Sequence, residues 1–361
     1  MHRHLIDQEL TDRERSVLVA VIDSYVRTAS PAGSRHLVRE YDLGVSPATI
    51  RSTMADLEAK GLLAHPHTSA GRVPTDLAYR YYVDDLMGPR TLPASQRARI
   101  ERQLAGVEIG AVEQLIARAA TVLGLLTGEL GLAVGPMIAQ ATLNRLELVP
   151  ISSEKALMVL TLESGVVRTV YVDLPSLLPR ETLEAVAATL NERLAGCTLA
   201  EIQHTLGERL RDLSFADPAA NSLVNILVQS GPDVFDWALE ERRLHLGNAS
   251  ILADQPEFTT PEQLLALMQL TERRDLLASV LGDRTGRDGP QVTIGTEHGT
   301  PELDDLTIVT ANYSVGKLRG MVGVIGPTRM PYDRVVAIVD GTSNLLSRLV
   351  QPATEYGAAD S

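Results

Sequence analysis

Residues 46–86 read SPATIRSTMADLEAKGLLAHPHTSAGRVPTDLAYRYYVDDL, and no other run constrains the fold as strongly. Ser46 with Pro47 behind it predicts an abrupt helix start, because the hydroxyl takes a free amide and proline has no amide to leave unpaired. Ile50, Met54 and Leu57 follow at i, i+4 and i+7 and predict one buried face. The opposite face is small and polar: Ala48, Thr49, Arg51, Ser52 and Ala55. Residues 62–66 and 72–74 predict the two strands of a short hairpin whose tip is His67, Thr68, Ser69, Ala70 and Gly71. Thr75 then caps a helix with Tyr79, Tyr82, Val83 and Leu86 on one apolar side.

Two helices precede this run. Thr11 with Glu14 three residues later makes a capping box, and Val17, Leu18, Val21, Ile22 and Tyr25 recur at helical spacing. A second helix is expected over 34–41 with Leu37 and Val38 inward, then a turn at 42–45 containing Gly44. Helix, glycine-containing turn, helix, hairpin, helix is a winged helix-turn-helix, which reads DNA. Short side chains let the third helix enter a major groove while Arg51 reaches guanine edges or phosphates. The helix N-terminus offers free amides to a phosphate near Ser46. The candidate DNA contacts are Ser34, Arg35, Ser46, Ala48, Thr49, Arg51 and Ser52, with His67, Thr68, Ser69 and Arg72 in the wing, Arg72 being the strongest of the four. Tyr79, Tyr81 and Tyr82 read as a packing set that fixes the wing.

The net charge of −13 looks wrong for such a module until its distribution is considered. Residues 1–90 carry 11 Arg or Lys against 12 Asp or Glu, a balance of −1, so −12 belongs to the remainder. Within 27–80 the count is 7 basic against 5 acidic. An acidic body on a nearly neutral head weakens nonspecific phosphate attraction and leaves more of the affinity to shape and base contacts.

Beyond the head, residues 95–130 predict two helices interrupted near 106–110. Strands are expected at 143–151, 156–162 and 166–174, a helix at 179–194, mainly helical chain over 198–285, strands at 291–294, 306–313 and 318–325, and a final helix at 332–350. This pattern suggests one mixed sheet split by a helical insertion, an α+β multidomain chain. Chemistry is sparse. HExxH, GxSxG and a Cys–His nucleophile pair are all missing, and Gly320, Gly323 and Gly326 have neither phosphate-loop spacing, so close strand packing or a bulge is expected of them. His2 with His4 and His65 with His67 lack a third ligand, so no metal and no cofactor is expected. Adjacent carboxylates such as Asp84 with Asp85 read as exposed charge. The single cysteine, Cys197, and the lack of a signal-like start point to the cytoplasm, and no apolar stretch approaches the ~20 residues of a membrane span.

The strings SPATIRSTMADLEAKGLL and PHTSAGRVPTDLAYRYYVD, with GMVGVIGPTRMPY over 320–332, closely resemble the HrcA family of bacterial heat-inducible transcription repressors. The matches sit at opposite ends of the chain, so the resemblance spans its length. It implies a homodimer with an N-terminal winged helix, a central GAF-like α/β domain and a dimerising domain inserted into it. On that plan the divisions are 1–90 for the head, 91–197 for the first part of the GAF-like domain with linker helices, 198–285 for the insertion, placed by position alone, 286–350 for the second part and 351–361 for a frayed tail. It further implies an inverted-repeat operator in double-stranded DNA upstream of chaperone operons, repression at normal temperature and reactivation by the chaperonin. A small-molecule-responsive regulator using the GAF-like domain as sensor is the alternative.

Overall fold

The structure is a computed structural model that describes residues 9–66, 71–88, 91–105, 112–174, 176, 178–239, 244–282, 284 and 288–350. It is an α+β protein with 13 α-helices and three sheets among the described residues. The head comprises α1 (Asp12–Thr28), α2 (Ser34–Glu40), α3 (Pro47–Ala59), β1 (Leu63–Ala64), β2 (Val73–Pro74) and α4 (Asp76–Tyr81), which runs on into a wider turn over Tyr82–Leu86. The capping box of α1 forms in both directions between Thr11 and Glu14. Val17, Leu18, Val21 and Ile22 meet Leu37, Ile50, Met54 and Leu57 in the core of the head, each apolar side chain contributing about 1.5–3 kcal/mol relative to exposure. Val38, expected inward, is exposed, while Leu37 is fully covered.

The body begins with α5 (Ala94–Leu104) and α6 (Val112–Thr127), followed at once by β3 (Leu130–Val134). Three further strands, β4 (Leu143–Pro150), β5 (Lys155–Leu162) and β6 (Val167–Asp173), form an antiparallel meander of their own. Its inner face alternates Leu146, Leu148, Met158, Leu160 and Val172 inward, as period-two burial requires. Helices α7 (Arg180–Leu194), α8 (Leu199–Leu210) and α9 (Pro218–Leu239) cover that face, with Leu146, Met158, Leu190, Leu194, Leu206, Leu210, Leu227 and Phe235 converging. Asn191 of α7 satisfies an open strand edge: its amide accepts from the Leu146 N–H and donates to the Leu146 carbonyl, both at 2.7 Å.

The chain then returns as β7 (Leu244–Leu246), the short α10 (Ser250–Ala253), α11 (Pro261–Glu272), α12 (Arg274–Gly282), β8 (Gln291–Ile294), β9 (Leu306–Val315), β10 (Leu318–Pro327) and α13 (Tyr332–Leu349). These strands join β3 in a five-stranded antiparallel sheet of order β7-β3-β10-β9-β8. Helices α6 and α13 cover one face over Ala133, Val309, Ala311, Val322 and Val324; α10, α11 and α12 cover the other over Leu132, Ile308, Met321 and Ile325.

The expected single mixed sheet is therefore two antiparallel sheets. The strands of 143–173 bury their inner face under their own helices, and the C-terminal strands find partners in β3 and β7 instead. β3 follows α6 so closely that it merged with the helical pattern, and the three-residue β7 lies within the stretch expected to be helical. Gly320 and Gly323 do lie where strands pack closely: a Cβ at either would come within 2.2 Å of the Tyr313 ring or the Val309 carbonyl.

Candidate nucleic-acid interface

Ser46 caps α3 by accepting the Thr49 N–H at 3.2 Å, and the two hydroxyls lie 3.0 Å apart. Such a cap contributes about 1 kcal/mol and sets where the helix begins. Ile50, Thr53, Met54 and Leu57 face the head core, which turns Ala48, Arg51, Ser52 and Ala55 outward and leaves Thr49 half-buried. The exposed face is thus small side chains around one arginine, with the acid Asp56 exposed toward the C-terminal half of the helix. Arg51 has no hydrogen bond or ion pair with another described residue, and neither has Arg35, exposed on α2. Ser34 of the candidate set is 9% exposed and packs into the head at the start of α2.

The wing is shorter than expected, with Leu63 opposite Pro74 and Ala64 opposite Val73. Pro66 and Pro74 lack the N–H that a longer ladder needs. His67, Thr68 and Ser69 lie outside the described residues. The wing is tied back to the connection between α1 and α2 by an isolated bridge in which Ala32 and Arg72 exchange backbone hydrogen bonds at 2.8 and 3.0 Å. Gly71 permits this approach, since a Cβ there would come 2.1 Å from the Ala32 carbonyl oxygen. The Arg72 guanidinium turns inward on Glu58 of α3, with Nε and Nη2 at 2.8 and 2.7 Å from Oε2. Its charge links the wing to α3.

Ion pairing sorts the basic residues of 27–80. Arg27 pairs with Asp23, Arg39 with Glu40, Lys60 with Glu14, Arg72 with Glu58 and Arg80 with Asp84 and Glu297, which leaves Arg35 and Arg51 as the cations of this stretch without a partner among the described residues. The Lys60 ammonium, 2.6 Å from Glu14 Oε1, holds that carboxyl below its ordinary range and fastens the end of α3 to the start of α1.

Sequence reading missed the residues that join head to body. Arg80 forks onto Glu297, Nε to Oε1 at 2.7 Å and Nη2 to Oε2 at 2.6 Å, and Nη2 also donates to the Val292 carbonyl at 2.6 Å. Beside it, the Thr296 N–H donates to Asp76 Oδ2 at 3.1 Å. Arg329, just past β10, forks onto Glu257 and donates from Nη1 to the Val26 carbonyl of α1 at 2.6 Å. Tyr79 lies buried between these contacts against Tyr332, so it braces head against body as well as wing. The available signal was the two marker strings themselves: one supplies Asp76, Tyr79 and Arg80, the other Arg329 and Tyr332. They touch in space.

Residues 113–336 match the family described as HrcA protein C terminal domain, and full-length relatives extend the match across the head. The chain belongs to the HrcA family. A protein named heat-inducible transcription repressor HrcA from Chlorobium chlorochromatii is 38% identical over 343 residues, covering 94% of this chain and 97% of the relative. Another so named, from Chlorobium phaeovibrioides, is 37% identical over 358 residues, with 96% and 99% covered, and one from Chlorobaculum tepidum is 37% identical over 350 residues, with 94% and 97% covered. A crystal structure of a hypothetical protein superposes with a TM-score of 0.61 at 22% identity, covering 95% of this chain and 99% of that one, and shares the fold. Among the described residues no helix is long and apolar enough to cross a membrane, and no group of three His, Cys, Asp or Glu could hold a metal ion. The head, whose Arg35 and Arg51 pair with no other described residue, is thus held to the body through Arg80 and Arg329.

Proposed function

We propose that this HrcA-family protein is a heat-inducible transcription repressor, acting in the cytoplasm as a homodimer whose two winged heads bind the halves of an inverted-repeat operator. The observation that carries the reading is the exposed face of α3, where Arg51 stands unpaired among Ala48, Ser52 and Ala55 and can reach a base edge. Ser46 and Thr49 sit at the helix N-terminus for a phosphate, with Arg35 as a second cation, and His67, Thr68 and Ser69, outside the described residues, are the remaining candidate contacts. Ser34 and Arg72 act as supports: the first packs α2, the second joins wing to α3. Chaperonin reactivation and placement upstream of chaperone operons rest on the family resemblance.

The strand order favours limits of about 135 and 243 for the inserted unit in place of 198 and 285, because residues between β3 and β7 form a sheet and helix layer of their own. The five-stranded sheet, helices on both faces, supports a GAF-like remainder. The outward face of the β4-β5-β6 meander carries exposed Val149, Val167 and Tyr171, apolar side chains suited to meeting a second copy. The deciding experiment selects duplexes from a randomised pool with the purified chain. Recovery of an inverted repeat supports the reading; recovery of no sequence preference defeats it.

A further inference from the structure

The two arginines at the head–body junction grip the head from different sides. Arg80 holds α4 to the edge of the five-stranded sheet, through Glu297 and the Val292 carbonyl of β8. Its carboxylate partner is itself fixed, since Glu297 Oε2 accepts the Ile294 N–H at 2.8 Å. Arg329 holds the C-terminal end of α1 through the Val26 carbonyl and is braced by Glu257. The Glu257 segment is anchored in turn, because nearby Gln255 donates to the Gly128 carbonyl at 2.8 Å and to Glu129 Oε2 at 3.0 Å. All four side chains are largely withdrawn from solvent, Arg80 and Arg329 to 16% and 13% exposure. One such contact would leave the head free to pivot. Two, on α1 and α4 with the Tyr79–Tyr332 packing between them, define an angle.

We infer that Arg80 and Arg329 are positioning residues for operator binding: they fix α3 relative to the body and so set the spacing at which two heads reach their half-sites. This rests on the dimeric, inverted-repeat reading. Forked guanidinium–carboxylate pairs are directional, which suits them to holding an angle. A head on a loose tether finds its half-site at many separations, whereas a clamped head binds with full strength only where the DNA matches its preset distance and rotation. Neither arginine touches the exposed face of α3, so affinity for a single half-site is left intact when either is removed.

The test uses the full chain and the duplex it selects from a randomised pool, with that duplex rebuilt at its native spacer, with about 5 base pairs added to rotate one half-site by half a turn, and with one half-site deleted. The parent should prefer the native spacer by about 100-fold, the low end of the gain from linking two binding events. Arg80→Ala and Arg329→Ala should bind the native and lengthened duplexes within about threefold of each other while keeping the parent's affinity for the single half-site. Arg80→Lys, which keeps the charge and loses the fork, provides a milder change if the alanine variant does not fold, and should also relax the preference. Variants that keep the parent's spacer profile overturn the clamp, as do variants that lose single-site and paired-site affinity in proportion, for then the arginines only stabilise the fold. A parent indifferent to spacer overturns the dimeric reading and the clamp with it, an outcome distinct from a discriminating parent with equally discriminating variants.

Discussion

The ring of Tyr79 in α4 lies 5.5 Å from the ring of Tyr332 in α13, tilted by 43°, so the bracing helix of the head packs on the start of the body's last helix. Both rings are buried, yet their hydroxyls differ. Tyr332 donates to the Thr328 carbonyl at 2.7 Å and lies 3.0 Å from the Thr307 hydroxyl, whereas the Tyr79 hydroxyl has no partner among the described residues.

That asymmetry sets the first prediction. Tyr79→Phe removes a buried, unsatisfied hydroxyl and should leave the melting temperature of the full chain level or raise it, because the packing ring stays. Tyr79→Ala should cost about 3–5 kcal/mol by opening a cavity between head and body. Thermal melts followed by circular dichroism distinguish them, and a Phe variant as unstable as the Ala variant refutes the assignment.

The two head arginines separate in a salt titration. Arg51→Ala should cost about 1–3 kcal/mol on the selected duplex and relax preference at one base position. Arg72→Ala should leave the slope of log K against log salt nearly unchanged, since Glu58 already balances that charge. Glu58→Ala frees Arg72 and should steepen the slope by about 0.9, one phosphate's worth. A flattening of that size in Arg72→Ala would show that the wing arginine leaves Glu58 for DNA.

Stability should carry the signature of a buried acid. Burial pushes the Glu129 carboxyl up to about 8, against the opposing effects of the Gln255 hydrogen bond and the charge of Arg329. The folded chain thus keeps a proton that an ordinary carboxyl releases near 4.5, so this contribution is full below that pH and is lost as pH rises to about 8. Glu129→Gln should therefore gain on the parent progressively across that window. A difference in melting temperature that stays constant with pH refutes the account.

The outer face of the meander gives a fourth outcome. On the dimeric reading proposed above, Val167→Asp with Tyr171→Asp should shift the sedimenting species from dimer to monomer while leaving the melting temperature of the head–body junction in place, since both residues are exposed in the single chain. A dimer that persists moves the interface elsewhere.

Much of the head was legible because its determinants are local. The caps at Thr11, Ser46 and Thr75 and the spacing of Ile50, Met54 and Leu57 act within one or two helical turns, and each forms as expected. Strand pairing is different. Nothing near Leu130 says that it will meet Ile325, and the burial that decides between one sheet and two comes from helices far along the chain, such as α13 over the sheet that holds β3. The candidate site divides in the same manner. Arg51 is placed by its own helix, but whether a guanidinium is spent on a neighbour depends on tertiary contacts: Arg72 meets Glu58 across 14 residues and Arg80 meets Glu297 across 217.

β3 and β7 lie side by side, paired from Leu132 with Leu246 to Val134 with Leu244, although the whole meander and three helices separate them along the chain. A loop that departs and lands on neighbouring strands closes over a gap of about 5 Å, the width of one strand spacing. The register of the sheet is thus set by strands that adjoin at both ends of the excursion. The sheet that carries Val292 and leads into Arg329 is therefore joined to the excursion at two neighbouring strands rather than interrupted by it.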